Sequence, residues 1–194
     1  MYNLAEILSI AYAILVTVGY IPALISLIKD NTVKGVSHHF WSLIVITVSI
    51  SFTSLMVTHA TPFQVVSVGL NLTLGIVCLI LYSIRKKDLY PIMFSIIFMF
   101  IIMIIMNYSV SSAQTIATVT IILAYISQIY NFYKTKNAEG TNIYLFLIIG
   151  IGLACLVSSM ILTNTYVHVM ITEAVNFILI MVCYLQANYY LNRG

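Results

Sequence analysis

Seven stretches of this chain are apolar over close to the 20 or so residues that an α-helix, rising about 1.5 Å per residue, needs to cross a hydrocarbon layer about 30 Å thick. They are Leu4 to Ile28, Phe40 to Val57, Phe63 to Ile84, Leu89 to Met106, Ala113 to Tyr133, Ile143 to Leu162 and Tyr166 to Tyr190, the second and fourth being short. Lipid offers the backbone no hydrogen-bond partners, so each stretch has to satisfy its own amides as a helix. Of the residues 62% are hydrophobic and 7% charged, too few charges to solvate a globular surface. The fold class these features set is an all-α membrane protein with seven transmembrane helices. The opening residues carry no basic leader before the apolar run, so the first stretch is expected to remain as a span.

The eight Lys and Arg residues are sorted by connection. Lys29 and Lys34 follow span one, Arg85, Lys86 and Lys87 follow span three, Lys134 and Lys136 follow span five, and Arg193 follows span seven. The alternate connections and the N-terminal leader contain none. Basic residues stay in the cytosol, so the chain is expected to run N-out/C-in as a multi-pass protein of the plasma membrane. Read this way the basic clusters are topology signals, and no nucleic-acid partner is expected. Cys78, Cys155 and Cys183 lie inside apolar runs with no metal-ligand spacing and are read as small core residues. Neither a metal nor another cofactor is expected.

Sliding the chain against itself gives a match at a constant offset of 105 residues. Tyr20 meets Tyr125, Lys29 meets Lys134, Gly35 meets Gly140, Ser54 meets Ser159, Thr58 meets Thr163, Asn71 meets Asn176 and Cys78 meets Cys183. Apolar matches come easily in such a composition, whereas polar and glycine matches in one register do not. Spans one to three and five to seven then form two parallel three-helix repeats, joined by span four as a linker (3+1+3). The boundaries are 1–88 for the first repeat, 89–106 for the linker helix and 107–194 for the second repeat. Transporters built from such repeats hold their substrate near the midplane, between the copies.

Asn71 and Asn176 fall roughly 14 to 15 Å into their spans, at the middle of the bilayer. An amide facing lipid there would be unsatisfied, so each is expected to face protein or a water-filled cavity. Two readings stand: a pair converging on a hydroxyl- or amine-bearing solute, or two separate hydrogen bonds that glue neighbouring helices. Glu173 shares a helical face with Asn176 and is the one acidic residue well inside a span. It is a candidate for proton coupling, or a neutral carboxyl in a structural role. Pro22, inside span one, and Gln128, at the same depth in span five, are hinge or gate candidates. Ser54 and Ser159 are candidate pocket-lining residues. Gly35 and Gly140 read as turn formers, Trp41 as an interfacial anchor, His38 and His39 as solvated, and His59 and His168 as lying near the outer surface.

The run Gly19-Tyr20-Ile21-Pro22-Ala23, followed by Lys29 to Lys34, Gly35-Val36-Ser37 and Trp41, resembles the first PQ-loop motif of the SWEET/MtN3 and PQ-loop superfamily. Ala124-Tyr125-Ile126-Ser127-Gln128, with Lys134 to Gly140, resembles a degenerate second copy. Each copy keeps one half of the Pro-Gln dipeptide. The resemblance implies small-solute transport, of sugars in SWEETs and amino acids in several relatives, on the same 3+1+3 architecture and orientation. It also implies substrate-binding roles for Asn71 and Asn176. Placing Trp41 away from the pocket weighs against a pyranose, whose ring packs well on an indole.

The resulting expectation is a carrier that moves a small polar metabolite (a sugar, amino acid or vitamin-like solute) by alternating access, as a uniporter or with proton coupling through Glu173. The alternative is a receptor or accessory protein of the same fold that binds a peptide or lipid-linked headgroup without moving it. No Lys or Arg lies within a span, which favours the carrier. No nucleophile-base-acid arrangement is present, so an enzyme is not expected. A small solute and the lipid bilayer are the expected partners, and a homo-oligomer is compatible with the sequence.

Overall fold

The computed structural model describes residues 4–30, 32–57, 62–163 and 167–192, and among them the regular structure is helical throughout. The helices are α1 (Leu4–Lys29), α2 (Phe40–Val57), α3 (Pro62–Lys86), α4 (Tyr90–Tyr108), α5 (Val110–Thr135), α6 (Ile143–Leu162) and α7 (Val167–Leu191). All seven are long and apolar enough to cross a membrane, so the chain is a multi-pass integral membrane protein. His59 and Arg193 lie outside the described residues, as do the side chains of Pro62 and His168.

Apolar side chains face outward as they must in lipid. On α1, Ile14, Val18, Ile21, Ile25 and Ile28 are exposed at spacings of three and four residues, one stripe down one side. Helix α4 is the most lipid-like, with only Pro91, Ser95 and Ile102 buried along its length.

The packing of the other six helices forms a closed ring. α3 packs against both α1 and α2, and α7 against both α5 and α6, while α1 with α2 and α5 with α6 make no close contact. The circuit is completed by α1 against α6 and α2 against α5, and α4 lies outside it, against α2, α3 and α5.

One local feature differs from the sequence-based expectation. The turn expected over 107–112 shrinks to the single extended residue Ser109, whose hydroxyl accepts from the Ser112 amide at 3.2 Å and so caps α5. Helix α1 runs unbroken through Pro22. The amide that proline lacks costs one backbone bond there.

Every Lys and Arg among the described residues sits at one end of the bundle, hereafter the basic end. The ends of α1 and α3 meet there, where Arg85 Nε donates to the Leu27 carbonyl at 3.1 Å and its guanidinium also donates to the Ile28 carbonyl. Those carbonyls lie in the last turn of α1, where no further helical amide follows to bond them.

Candidate functional site

The basic end is closed by two loops that interlock. Residues 30–39 connect α1 to α2, and residues 136–142 connect α5 to α6. The Gly35 amide donates to the Glu139 carbonyl at 2.9 Å, the Gly140 amide donates to Asp30 Oδ2 at 2.9 Å, and Thr32 donates to the Glu139 carboxylate. A Cβ on Gly35 would lie 2.4 Å from the Ala138 carbonyl carbon, and one on Gly140 would lie 2.7 Å from Val33 Cα. The two contacts are reciprocal: Gly35 sits on residue 138 as Gly140 sits on residue 33, in the 105-residue register. Gly140 also has φ +82°, the turn-forming role expected of it. Gly35 lies in a turn as expected, closed by the Val36 amide donating to the Val33 carbonyl at 3.0 Å, and the close approach of backbones is a further demand on it.

Gln128 fastens this closure from the cavity side. It is fully buried, its Nε2 donates to the Gly35 carbonyl at 2.6 Å, and its Oε1 accepts from the Ser37 amide at 2.8 Å. Asn131 and Asn142 extend the seam, donating to the Lys34 carbonyl and to Ser26 Oγ at 3.1 Å each. On the cavity side of Gln128 lies an aromatic floor of Phe40, Trp41, Tyr125 and Phe146, with Phe132 packed on Phe146 and neighbouring ring centroids 5.1 to 6.2 Å apart.

Above the floor the ring of helices encloses a cavity of about 630 Å³. Its walls run from Trp41 and Phe146 at the basic end up to Ser111, Gln114 and Thr115, which are exposed at the opposite end of α5. Asn71 from α3 and Asn176 from α7 both line this one cavity, and so does Glu173. Asn71 Oδ1 accepts from Thr17 Oγ1 of α1 at 2.9 Å, and that hydroxyl has a second acceptor, the Ala13 carbonyl, at the same distance. Asn176 Nδ2 donates to Glu173 Oε2 at 3.3 Å, while Asn176 Oδ1 is buried with no partner. Among the described lining residues Glu173 carries the one formal charge, and Tyr12 of α1 lies within its electrostatic reach.

The other candidates lie elsewhere. Ser159 is not among the lining residues; its hydroxyl donates to the Ala5 carbonyl at 2.8 Å and meets Ser9 Oγ at 2.9 Å, joining α6 to α1. Ser54 is buried in α2, and Pro22 is half-buried in α1, neither of them lining the cavity. Gln128 belongs to the closure at the basic end.

The largest correction concerns Trp41. Read as an interfacial anchor, it is instead 3% exposed, lines the cavity floor, packs on Tyr20 at 6.1 Å, and has an Nε1 with no partner. Its place at the start of α2 suits a bilayer interface, but the loop before α2 folds inward under Gln128 and carries the ring with it. Tyr12, Tyr20 and Tyr125 also line the cavity and were missed as site residues, although the Tyr20 and Tyr125 match in the 105-residue register was a usable signal. His38 and His39 are likewise more than solvated. His38 stacks on Tyr90 at 5.2 Å and its Nδ1 lies 3.8 Å from Asp88, while His39 packs against Phe94 at 5.9 Å.

No curated protein matches the chain. Residues 110–169, which hold α5 with Gln128, the interlocked loop with Gly140, and α6, match the PQ loop repeat family model.

Proposed function

We propose that the chain is a carrier of the PQ-loop superfamily, moving a small polar metabolite across the membrane by alternating access. The carrying observation is that Asn71 and Asn176, one from each side of the ring, line a single cavity closed at one end by fastened loops. A cavity of about 630 Å³ falls in the usual range for small-molecule sites, about 300 to 1,000 Å³. In this reading α1–α3 and α5–α7 are parallel repeats, α4 is the linker, and the basic end faces the cytosol with the N-terminus outside. The reciprocal glycine contacts and the matched packing of α3 and α7 support the repeat. Asn71 and Asn176 bind the solute, and the two sides rock about it while the Gln128 clamp opens. The expected location is the plasma membrane, and SWEET-like sugar transport is one member of the substrate class.

The test is uptake of labelled sugars, amino acids, nucleosides and vitamins into proteoliposomes. Saturable uptake of one of them is expected, lost in Asn71→Ala and in Asn176→Ala while both variants stay folded. Unchanged solute affinity in both single variants would remove the site assignment. Proton coupling through Glu173 is the second reading, favoured by a carboxyl within the cavity. It fails if Glu173→Gln takes up solute at the parent's rate with and without an imposed pH gradient. A non-transporting receptor of the same fold would instead show binding with no flux.

A further inference from the structure

Glu173 is the one formally charged side chain among the described residues lining the cavity, and no Lys, Arg or His accompanies it there. Its hydrogen bond from Asn176 is long, at 3.3 Å, and neutral. A carboxylate held in lipid with no counter-charge is costly, so such a group either takes up a proton or pairs with something of opposite charge that comes to it. Two tyrosines of the wall, Tyr12 and Tyr125, lie within its electrostatic reach, and Tyr20 and Trp41 line the cavity nearer the floor. Aromatic faces attract a desolvated cation and offer nothing to an anion. Asn176 Oδ1 is a buried acceptor without a partner, suited to a solute N–H or O–H donor.

We infer that the solute is an organic monocation, such as an ammonium or a cationic nitrogen heterocycle, that pairs with Glu173 while its apolar body packs against Tyr12 and Tyr125. This rests on the reading of the cavity as a solute site and narrows its substrate class. A zwitterionic amino acid fits less well, because its carboxylate would find no Lys or Arg on the lining. An anion would meet Glu173 as a like charge. A neutral sugar would leave Glu173 to be compensated by a proton alone. A bare metal ion is far smaller than the cavity, and no cluster of three or more metal-binding side chains occurs among the described residues.

The test uses pairs of probes matched in shape and differing in charge: choline against 3,3-dimethylbutan-1-ol, and 1-methylnicotinamide against 3-methylbenzamide. Binding to the purified protein is measured by thermal shift and calorimetry. In at least one pair the cation is expected to bind about tenfold or more tightly than its neutral partner. Glu173→Gln should erase that preference, and Glu173→Asp, which keeps the charge, should retain part of it. Tyr12→Leu should weaken the cation more than the neutral probe. Equal or tighter binding of the neutral member in both pairs, or no cation binding at all, overturns the inference. A preference that survives Glu173→Gln in a folded variant overturns it too. Asn71-dependent uptake of a neutral sugar would sink the cation inference and leave the carrier standing. Cation binding at Glu173 without flux would do the reverse.

Discussion

The helix triplets α1–α3 and α5–α7 are alike in how they pack and unlike in what they bring to the cavity. In each, the third helix lies between the other two, presents an Asn to the same cavity, and carries a fully buried Cys. Yet Asn71 is engaged by Thr17, whereas Asn176 faces Glu173 with its carbonyl oxygen unpartnered. Val68 occupies the position in α3 that Glu173 holds in α7. At the basic end the difference runs the same way. Gln128 fastens the first loop, while its counterpart Ala23 is buried with no polar group to offer. The packing frame is shared, and the polar equipment is concentrated in the second triplet.

The interlocked glycines are where the two triplets depend on each other most, and they should give the largest effect. Gly35→Ala forces a Cβ into the Ala138 backbone and is expected to cost about 3 kcal/mol or more, since backbone cannot move aside as a side-chain tip can. Loss of detergent-solubilised folded protein, or a large drop in Tm, checks it. A near-normal Tm would break the interlock. Next comes Gln128→Ala, which orphans the Gly35 carbonyl and the Ser37 amide and should cost about 2 to 4 kcal/mol. Ala23→Ser in the first triplet removes no such clamp. If both variants lose stability equally, the asymmetry at the basic end is wrong.

At the cavity the two amides should also separate. Asn176→Ala is expected to weaken solute binding more than Asn71→Ala, because it also removes the donor to Glu173. Calorimetric titration with the best probe cation decides this, and a larger loss at Asn71 would reverse the comparison. Ser159→Ala, which removes a helix-to-helix bond and no cavity contact, should cost about 1 kcal/mol in stability and leave binding unchanged.

The smallest effect is expected at His39, in the loop of the first triplet. Burial, and then the neighbouring His38, hold its imidazole below the usual histidine range. As pH falls below about 6.5 the unfolded chain therefore takes up this proton before the folded one, and stability falls. Thermal melts at pH 7.5 and 5.5 should show a smaller loss on acidification in His39→Gln than in the parent.

Much of the fold could be read from residues in order. Span length and apolarity give the seven helices, because lipid removes every alternative to a self-satisfied backbone, and the sorting of basic residues identifies the end at which they gather. The register match that paired Asn71 with Asn176 also paired Gly35 with Gly140; the glycines sit in the interlocked loops, and the two amides line one cavity. What could not be read depends on contacts between distant segments. The reason for Gly35 lies in the Ala138 backbone, and the inward turn of Trp41 follows from a loop held by Gln128 across the ring. Ser159 looked like a pocket residue by register alone, while its partners on α1 could be seen only in three dimensions.

Whether water reaches the cavity from the end opposite the basic loops distinguishes an open hollow from a packed bundle. Ser51→Cys places a thiol on the cavity wall, in a variant whose Cys78, Cys155 and Cys183 are replaced by alanine. Reconstituted in oriented vesicles, it should react quickly with a membrane-impermeant thiol reagent added at the end opposite the basic loops. The reaction should be far slower when the reagent is added at the basic end. No reaction from either side, in protein that remains folded, would contradict a water-reachable hollow between the triplets.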